Sequence, residues 1–294
     1  MFASLLCLVF CGSALASAAP PPGLSEITIG LNPAENSELL EANGQRFSTY
    51  FSKQTGLTVK TFVASDYTAL IEAMRAGRVD FAFLPPFSLV QAEKLSGAKL
   101  LLKAVRKGKD VFYSGIIVKE DRGLNKLEDL KGKSIAWVDP ASTSGFIVPK
   151  ASMLTKKKLD ADKFFGKQTY AGSHDAVVLA VMNGTVDAGA TWVNDSEGKD
   201  GAWHLYLKTP AELKKVRMVF VSDPIPNETM ATTEKFFAKN PGVVERTVKA
   251  IREMGDSAEG KKVLQDLYGI DKMVPANAAD YLPLREAARA LGIN

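Results

Sequence analysis

KSIAWV (residues 133–138) has the alternating pattern of a β-strand, and it is followed by DPASTSG (139–145) and then by FIVPKASML (146–154). The last run has the length and apolar character of a helix. Three hydroxyl side chains, Ser142 to Ser144, therefore lie where a strand passes into a helix. A strand–turn–helix unit of this kind is typical of an α/β fold.

The turn at Ser142–Ser144 is a candidate anion receptor. The first N–H groups of a helix have no acceptor within the helix, and the helix dipole directs its positive end towards them. Serine and threonine hydroxyls add further donors, so the turn suits a tetrahedral oxyanion. The alternative is that one serine only caps the helix. Three consecutive hydroxyls exceed what a cap requires, but the turn alone does not decide.

Strand-like and helix-like patterns alternate on both sides of this turn. The predicted strands are 26–31, 57–63, 79–84, 99–105, 112–118, 134–138, 169–171, 188–192 and 216–221. The predicted helices are 37–53, 66–76, 87–95, the run ending at Leu154, and 175–182. From Thr232 onward the pattern is almost wholly helical. Alternation at these lengths predicts α/β layers, and 294 residues are enough for about two domains.

Residues 66–82 and 173–189 form a weak internal repeat when they are aligned without gaps. Gly77 then coincides with Gly184, and each copy continues into a Val-Asp pair. Each copy is predicted to form a capped helix, a glycine in the left-handed backbone conformation and a strand. If the repeat is structural, the chain has two similar lobes.

Tyr67 and His174 occupy equivalent helix N-termini in the two copies. In facing lobes both side chains would be directed at one cleft, where a phenol and an imidazole can donate hydrogen bonds to an anion. The spacing fits equally well with a tyrosine packed at a lobe surface and a polar histidine in a first turn. Both alternatives stay open at this point.

Several enzyme classes lack the residues that they need. The chain has two histidines, no H-x-x-x-H pair and no cysteine cluster, so a zinc site lacks ligands. Neither G-x-G-x-x-G nor G-x-x-x-x-G-K-[ST] occurs, which removes the common nucleotide cradles. Ser144 and His174 can be combined with an aspartate into a hydrolase triad, but G-x-S-x-G is absent. The sequence therefore predicts a binding protein with no catalytic residues, metal or cofactor.

The composition is that of a soluble globular protein, with 46% hydrophobic and 24% charged residues. The net charge of +4 suits the capture of small anions. It is too weak and too dispersed to predict nucleic-acid binding.

Residues 1–18 are predicted to be a secretory signal peptide, because they are apolar, uncharged and end in the small-residue triplet Ala16-Ser17-Ala18. Cys7 and Cys11, the two cysteines of the chain, lie inside this segment. The mature protein is therefore expected to have no disulfide or thiol site. Val9-Phe10 is a poor lipobox, which argues against a lipid anchor at Cys11.

Two other segments are predicted to lie near a ligand or a hinge. Residues 190–197 follow a strand, where α/β folds place ligand-facing loops, and Asp195 is there either a ligand group or a solvated turn residue. Ser222–Asn227 contains two prolines and, with Gly108–Gly115, is predicted to form the two crossovers between lobes.

Taken together, these motifs resemble the phosphonate/phosphite (phosphate-analogue) substrate-binding proteins of ABC importers, a branch of the two-lobed periplasmic binding proteins. The resemblance extends over about residues 26–260. It is carried by Asp66-Tyr67 and the helix through Gly77, Asp139-Pro140, Ser142–Phe146, Gly172–Asp175, Asn183-Gly184 and Ile225-Pro226-Asn227.

The resemblance implies an α/β, two-lobed (type II, Venus-flytrap) fold with a helical C-terminal tail. Residues 24–111 plus 222–294 would form lobe 1, and 112–221 would form lobe 2. It further implies a monomeric, periplasmic carrier that delivers a phosphonate, phosphite or related phosphorus oxyanion to an ABC permease. A sulfonate or other organic anion, or a sensor role on the same scaffold, is the alternative.

The resemblance also implies which residues bind the ligand. The hydroxyls and amides of Ser142, Thr143 and Ser144 would hold the oxyanion, and His174 and Tyr67 would close around it. The remaining implied ligand-binding residues are Tyr113 (or Phe112 in the alternative register), Asp195 and Asp223, with Glu197 as a further carboxylate for an amine. Leu89 stands where the family usually has tyrosine, and Pro85-Pro86 replaces its usual Gly-Pro, so the anion class is better defined than the particular ligand.

Overall fold

The computed structural model describes residues 24–293, so the predicted signal peptide lies outside the described residues. The strands, in chain order, are β1 (Glu26–Leu31), β2 (Thr58–Val63), β3 (Phe81–Leu84), β4 (Ala98–Val105), β5 (Val111–Lys119), β6 (Ser134–Trp137), β7 (Lys167–Tyr170), β8 (Ala188–Val193), β9 (Val216–Val221), β10 (Ile225–Pro226), β11 (Thr229–Thr233) and β12 (Lys272–Pro275). The strands predicted from the sequence are all present, with ends that differ by at most two residues.

The α-helices, in chain order, are α1 (Ser37–Thr55), α2 (Tyr67–Arg75), α3 (Pro86–Ser96), α4 (Val148–Lys156), α5 (Ala161–Phe164), α6 (His174–Met182), α7 (Trp203–Tyr206), α8 (Pro210–Leu213), α9 (Glu234–Lys239), α10 (Pro241–Met254), α11 (Ala258–Tyr268) and α12 (Leu282–Ala290). A π-helical turn, Thr143–Ile147, precedes α4 directly. Short 3₁₀ turns occur at Glu120–Arg122, Leu127–Leu130 and Ala278–Tyr281. None of these helices is both long enough and apolar enough to cross a membrane.

Two sheets, each with helices packed against it, divide the molecule into two lobes. The first lobe is built on a sheet of order β12-β4-β11-β3-β1-β2, and the second on a sheet of order β10-β5-β8-β6-β7, with β9 paired to β5. In each sheet the parallel strands lie at one end: β1 pairs with β2 and β3, and β6 pairs with β7 and β8. The α/β prediction is therefore correct.

The chain crosses between the sheets twice. It leaves the first sheet after Val105 and enters the second at Val111, and it returns between Pro226 and Thr229. The two crossing segments are hydrogen-bonded to each other, because the Asn227 side chain donates to the carbonyl of Lys109 at 3.0 Å. This pairing gives the two lobes one shared hinge region.

The repeat seen in the sequence is confirmed as a structural repeat. Gly77 after α2 and Gly184 after α6 have φ angles of 68° and 72°, the left-handed conformation that glycine adopts without strain. Each glycine ends its helix and directs the chain into a strand of its own lobe, β3 or β8.

The aspartates of the two Val-Asp pairs have the same role in each lobe. Asp80 Oδ2 accepts the backbone N–H of Thr28 at 2.8 Å, which ties the start of β3 to β1. Asp187 Oδ2 accepts the backbone N–H of Ser134 at 2.9 Å, which ties the start of β8 to β6. Because β1 and β6 are tied near their starts in the same way, the strands that follow α2 and α6 enter the two sheets at equivalent places.

The C-terminal part of the chain is less helical than the sequence predicts. Residues 272–275 form β12, an edge strand paired antiparallel to β4. A strand of four residues that ends in proline has no periodicity long enough to recognise. Thr229–Thr233, which was not predicted as a strand, forms β11 between β3 and β4. All five of its residues are buried, so the strand lacks the alternation that marks a half-exposed one.

Helices α3 and α12 also join the lobes. Helix α3 of the first lobe contacts the π-helical turn of the second, and α12 packs against both α3 and α4. The buried cluster of the second lobe includes Phe87 from α3 and Ala288 from α12. This packing leaves the cleft between the carboxyl ends of the two sheets as the region that is open to a ligand.

Candidate functional site

A cavity of about 670 Å³ lies between the two lobes. Its wall includes residues of the loops that follow β1, β3, β6 and β8, and residues of the first crossover. The predicted binding residues that line it are Tyr67, Ser142, Thr143, Ser144 and His174. The structure thus brings together residues that are up to about a hundred positions apart in sequence.

The hydroxyl turn lies at the start of the π-helical segment that continues into α4. Ser142 is its N-cap, and the Ser142 Oγ accepts the backbone N–H of Gly145 at 3.1 Å. Within residues 24–293, the backbone N–H groups of Thr143 and Ser144 donate to no protein acceptor. Since all three hydroxyl residues are buried, these free donors favour an anionic group beside them.

Close packing fixes this turn against the end of β6. A Cβ atom added to Gly145 would lie 2.4 Å from Val138 Cγ2 and 2.8 Å from Ser142 Oγ. The Val138 N–H also donates to the Gly145 carbonyl at 3.1 Å. The glycine is therefore required by close approach of the backbone to the strand, not by an unusual φ.

Tyr67 begins α2 and points a buried hydroxyl towards the turn. The hydroxyl faces the side chains of Asn32 and Ser142, and both lower the pKa of Tyr67 slightly against the large increase caused by burial. Neither reaches hydrogen-bonding geometry, so in the described part of the chain the Tyr67 hydroxyl has no partner. A buried hydroxyl without a partner is costly, and a ligand oxygen in the cavity would satisfy it.

His174 begins α6 in the equivalent position of the second lobe. Its Nδ1 lies 2.8 Å from the hydroxyl oxygen of Thr191, and burial lowers the pKa of His174 to about 3. The imidazole is therefore neutral at physiological pH. When the Thr191 hydroxyl donates to Nδ1, the remaining proton is on Nε2. In that tautomer the ring has a donor to offer to an anion.

The loops after β1 and β6 reach across the cleft to these helix starts. The backbone N–H of His174 donates to the carbonyl of Ala34 at 3.0 Å, from the second lobe to the first. The backbone N–H of Tyr67 lies against the Asp139 carboxyl and lowers its pKa, although burial raises that pKa overall. The two contacts are related by the repeat, and they hold the lobes in a closed arrangement.

Charged side chains at the cavity are largely paired. The guanidinium of Arg106 donates to Asn227 Oδ1 at 3.1 Å and to the carbonyl of Tyr268 at 2.9 Å, and it forms an ion pair with Glu228. Lys107 forms an ion pair with Asp200. The donors beside the hydroxyl turn are therefore neutral groups and backbone amides, which bind an anion through hydrogen bonds rather than through a full opposite charge.

Four predicted residues lie outside the cavity wall: Tyr113, Asp195, Glu197 and Asp223. Tyr113 pairs with Val193 in β8, while its neighbour Phe112 lines the cavity. Consecutive side chains of a strand point to opposite faces, so the alternative register is the one that reaches the cleft. The register cannot be read from the Phe-Tyr pair itself.

The predicted carboxylates Asp195 and Asp223 are used elsewhere. Partial burial would raise the pKa of Asp195, but hydrogen bonds from the backbone N–H groups of Lys199, Asp200, Glu197 and Gly198 lower it overall. The carboxylate thus caps its own turn. Asp223 is exposed and forms an ion pair with Lys156. Neither carboxylate lines the cavity.

The sequence analysis missed two residues that follow β1: Glu35, which lines the cavity, and Asn32, whose side chain faces the Tyr67 hydroxyl. Asn32 is fully buried, and both atoms of its amide lack partners among the described residues. Glu35 accepts a hydrogen bond from the Trp192 indole N–H at 3.1 Å. Their position directly after β1 was the available signal, because ligand-facing loops follow strands at the carboxyl edge of a sheet.

These features define a class of protein. Two similar α/β lobes joined by a two-stranded hinge region close on a cavity whose donors are helix starts, hydroxyls and an imidazole. Such an arrangement is that of a two-lobed solute-binding protein with an oxyanion site.

Comparison with known proteins agrees with this class. The chain matches the family of ABC transporter, phosphonate, periplasmic substrate-binding proteins over residues 29–281, and it belongs to that family. The family resemblance and the fold predicted from the sequence are thus confirmed. The family is one of periplasmic substrate-binding proteins, which confirms a binding rather than a catalytic role.

Similar proteins cover most of the chain. The phosphate-import protein PhnD of Mycolicibacterium smegmatis is 34% identical over 290 residues, which are 90% of this chain and 86% of the relative. The phosphonates-binding periplasmic protein of Escherichia coli is 27% identical, with 89% of this chain and 75% of the relative covered. The structure of PhnD1 from Prochlorococcus marinus in complex with methylphosphonate is 22% identical and superimposes with a TM-score of 0.79, over 92% of this chain and 99% of that one.

Proposed function

We propose that this protein captures a phosphorus oxyanion (a phosphonate, phosphite or phosphate) in the interlobe cavity and presents it to the membrane permease of an ABC importer. The observation that supports this most directly is the Tyr67 hydroxyl. It is buried without a hydrogen-bond partner in the part of the chain described, beside a turn whose own donors are free.

The donors form a set suited to several oxygens of one anion. The N–H and hydroxyl groups of Thr143 and Ser144 lie on one side, and the Tyr67 hydroxyl and the His174 ring lie at the starts of α2 and α6. Each hydrogen bond to a charged ligand contributes about 1.5–3 kcal/mol. Several such bonds are enough for high affinity even after the free-energy cost of immobilising the ligand is subtracted.

Closure of the lobes is part of this function. The contacts of His174 with Ala34 and of Thr143 with Phe87 each join one lobe to the other beside the cavity. A ligand held by both lobes therefore stabilises the closed arrangement over an open one. A permease that recognises the closed arrangement would distinguish the loaded carrier from the empty one.

The relatives support phosphorus as the central atom. The relatives from Mycolicibacterium smegmatis and Escherichia coli are named for phosphate import and phosphonate binding. Both ligands share a tetrahedral PO₃ group, and the hydroxyl turn would bind that group in either case. We propose further that the protein acts as a monomer, as expected for a carrier that binds its ligand within one chain.

Thermal unfolding in the presence of candidate anions tests the proposal. The panel consists of methylphosphonate, aminoethylphosphonate, phosphite, phosphate, sulfate, methanesulfonate and amino acids. A ligand present at 100 times its Kd should add about 2.7 kcal/mol to the free energy of unfolding. We expect stabilisation by phosphorus oxyanions. Stabilisation by sulfonates or amino acids alone would show that the proposed ligand class is wrong.

A further inference from the structure

Glu35 is the least expected group in a cavity built to bind an anion. It lies in the loop between β1 and α1, and its carboxyl group lines the cavity. Glu35 Oε1 accepts the indole N–H of Trp192, which lies on β8 of the other lobe. Oε2 is buried and has no hydrogen-bond partner among residues 24–293. The side chain therefore bridges the lobes with one oxygen and leaves the other free inside the site.

Glu35 lies among the residues that surround the proposed oxyanion site. The carbonyl of the preceding residue, Ala34, accepts the N–H of His174. The Trp192 indole packs edge-on against the His174 ring, with 6.4 Å between the ring centroids. Glu35 also acts electrostatically on the Tyr67 hydroxyl. Glu35 is therefore linked to His174 through Ala34 and through Trp192, and it lies close enough to Tyr67 to act on the pKa of that hydroxyl.

An ionised carboxylate would be unfavourable in this position. It would face a bound anion in a cavity of low polarity, where like charges repel strongly. Asp175 on α6 and Glu228 beside the second crossover already add negative charge near it, while Arg106 at the end of β4 opposes them. Burial raises the pKa of Glu35 to about 8 against the lowering effect of the Trp192 hydrogen bond.

A neutral carboxylic acid fits both oxygens as they are found. It has one carbonyl oxygen, which only accepts, and one hydroxyl, which donates. The carbonyl corresponds to Oε1, which accepts from Trp192, and the hydroxyl corresponds to Oε2, which has no acceptor in the described chain. An oxygen of a bound anion is the acceptor that this hydroxyl lacks.

We propose that Glu35 is a ligand-binding residue that enters the closed cleft as a neutral carboxylic acid, holds Trp192 through Oε1 and donates its proton from Oε2 in a hydrogen bond to the bound oxyanion. This inference rests on the proposed function, and it makes anion binding depend on a proton at Glu35. The proton is not transferred; it is shared in a hydrogen bond while the anion is bound and remains with the carboxyl when the anion leaves.

The test measures Kd for each oxyanion of the panel by isothermal titration from pH 6 to pH 9, in wild type, Glu35→Gln and Glu38→Gln. Glutamine retains an oxygen that accepts from Trp192 and places an N–H donor where Oε2 lies, but it does not titrate. Glu38, an exposed residue in the first turn of α1, is the matched control. Comparing variants with the same ligand removes the titration of the ligand itself.

Between pH 8 and pH 9 we expect the affinity of the wild type and of Glu38→Gln to fall about 5- to 10-fold relative to Glu35→Gln, because one ionising group changes an equilibrium at most tenfold per pH unit. Glu35→Ala, which loses both bonds, should bind more weakly at every pH. Equal pH profiles for wild type and Glu35→Gln, or full affinity in Glu35→Ala, would overturn the proposal.

Failure of the proposed function would look different. In that case phosphorus oxyanions would not bind to the wild type, and a sulfur oxyanion in the same panel would show the Glu35 effect, since the proton would act on any oxyanion. Binding of no oxyanion at all would overturn both proposals.

A Trp192→Phe variant tests the bond to Oε1 separately, because it retains the ring against His174 but removes the donor to Oε1. We expect the fall in affinity to move to higher pH in this variant, because the Trp192 hydrogen bond that lowers the pKa of Glu35 is lost.

Discussion

The Thr143 hydroxyl oxygen accepts the backbone N–H of Phe87 at 2.9 Å. Thr143 begins the π-helical turn of the second lobe, and Phe87 lies in the first turn of α3 in the first lobe. The bond occupies a lone pair of the hydroxyl and leaves its proton free to donate. Thr143 can therefore join the two lobes and contact a ligand at the same time, so closure and binding depend on one side chain.

Replacing Thr143 by alanine should weaken binding of the preferred anion about 10-fold or more, because a hydrogen bond to a charged ligand is worth about 1.5–3 kcal/mol. Thr143→Ser should retain most of the affinity, since it retains the hydroxyl. Titration calorimetry measures both. Thr49→Ala is the matched control, because the Thr49 hydroxyl bonds only to the Gln45 carbonyl on the outside of α1. Unchanged affinity in Thr143→Ala would show that the Thr143 hydroxyl does not bind the ligand.

Removing the Tyr67 hydroxyl should affect stability and binding in opposite directions. Tyr67→Phe removes a buried hydroxyl that has no partner within the described chain, so the unliganded protein should be as stable as the wild type or more stable. The affinity for the anion should nevertheless fall about 10-fold. Chemical unfolding and titration calorimetry together measure the two effects.

The control for Tyr67 is Tyr50, whose hydroxyl lies 3.1 Å from the Ser257 hydroxyl far from the cavity. Tyr50→Phe breaks that bond and should cost about 1 kcal/mol of stability without changing affinity. A Tyr67→Phe protein that is destabilised but binds normally would show that the hydroxyl has a structural partner instead of a ligand.

The buried imidazole of His174 should make the protein less stable in acid. Its folded pKa, about 3, lies below the unfolded value of about 6.5. The unfolded chain therefore takes up the proton first, and the contribution of His174, which is complete above pH 6.5, is lost as the pH falls towards 3. We expect a loss of about 2 kcal/mol between pH 7 and pH 5 from this group.

Urea unfolding at pH 7 and pH 5 measures this loss. His174→Gln should show a decrease smaller than that of the wild type by about 2 kcal/mol. His204→Gln changes an exposed histidine and should behave as the wild type does. Identical pH dependence in the wild type and His174→Gln would mean that the ring is not buried in its neutral form.

Gly145 should tolerate no side chain. Gly145→Ala would place Cβ 2.4 Å from Val138 Cγ2, so the turn must move, at a cost of about 1–3 kcal/mol in stability and with loss of affinity. Gly242→Ala, in α10, meets no atom within 4 Å and should leave both properties nearly unchanged. Thermal unfolding and calorimetry measure these effects, and a fully stable Gly145→Ala protein would contradict the packing argument.

Residues that act on their immediate neighbours were recognisable from the sequence. Gly77 and Gly184 end their helices, and Ser142 caps the turn through a bond to a residue three positions away. Tyr67 and His174 were located as helix starts by the same local rules. Such features can be recognised in a sequence because capping, turn geometry and periodicity involve contacts within a few residues.

Long-range contacts decided the remaining features of the site. The strand β12, the choice of Phe112 over Tyr113 at the cavity, and the pairing of Asp223 with Lys156 depend on which face or neighbour the folded chain supplies.

The amino-acid sequence by itself determined the α/β class, the repeat and the hydroxyl turn, because these follow from local pattern. Only the tertiary structure decided the chemical states of the side chains in the cleft. His174 is neutral, the Tyr67 hydroxyl lacks a protein partner in the described structure, and the pKa of Glu35 is raised to about 8. These states arise from desolvation and from neighbours on the opposite lobe, so they exist only when two distant parts of the chain enclose the same cavity.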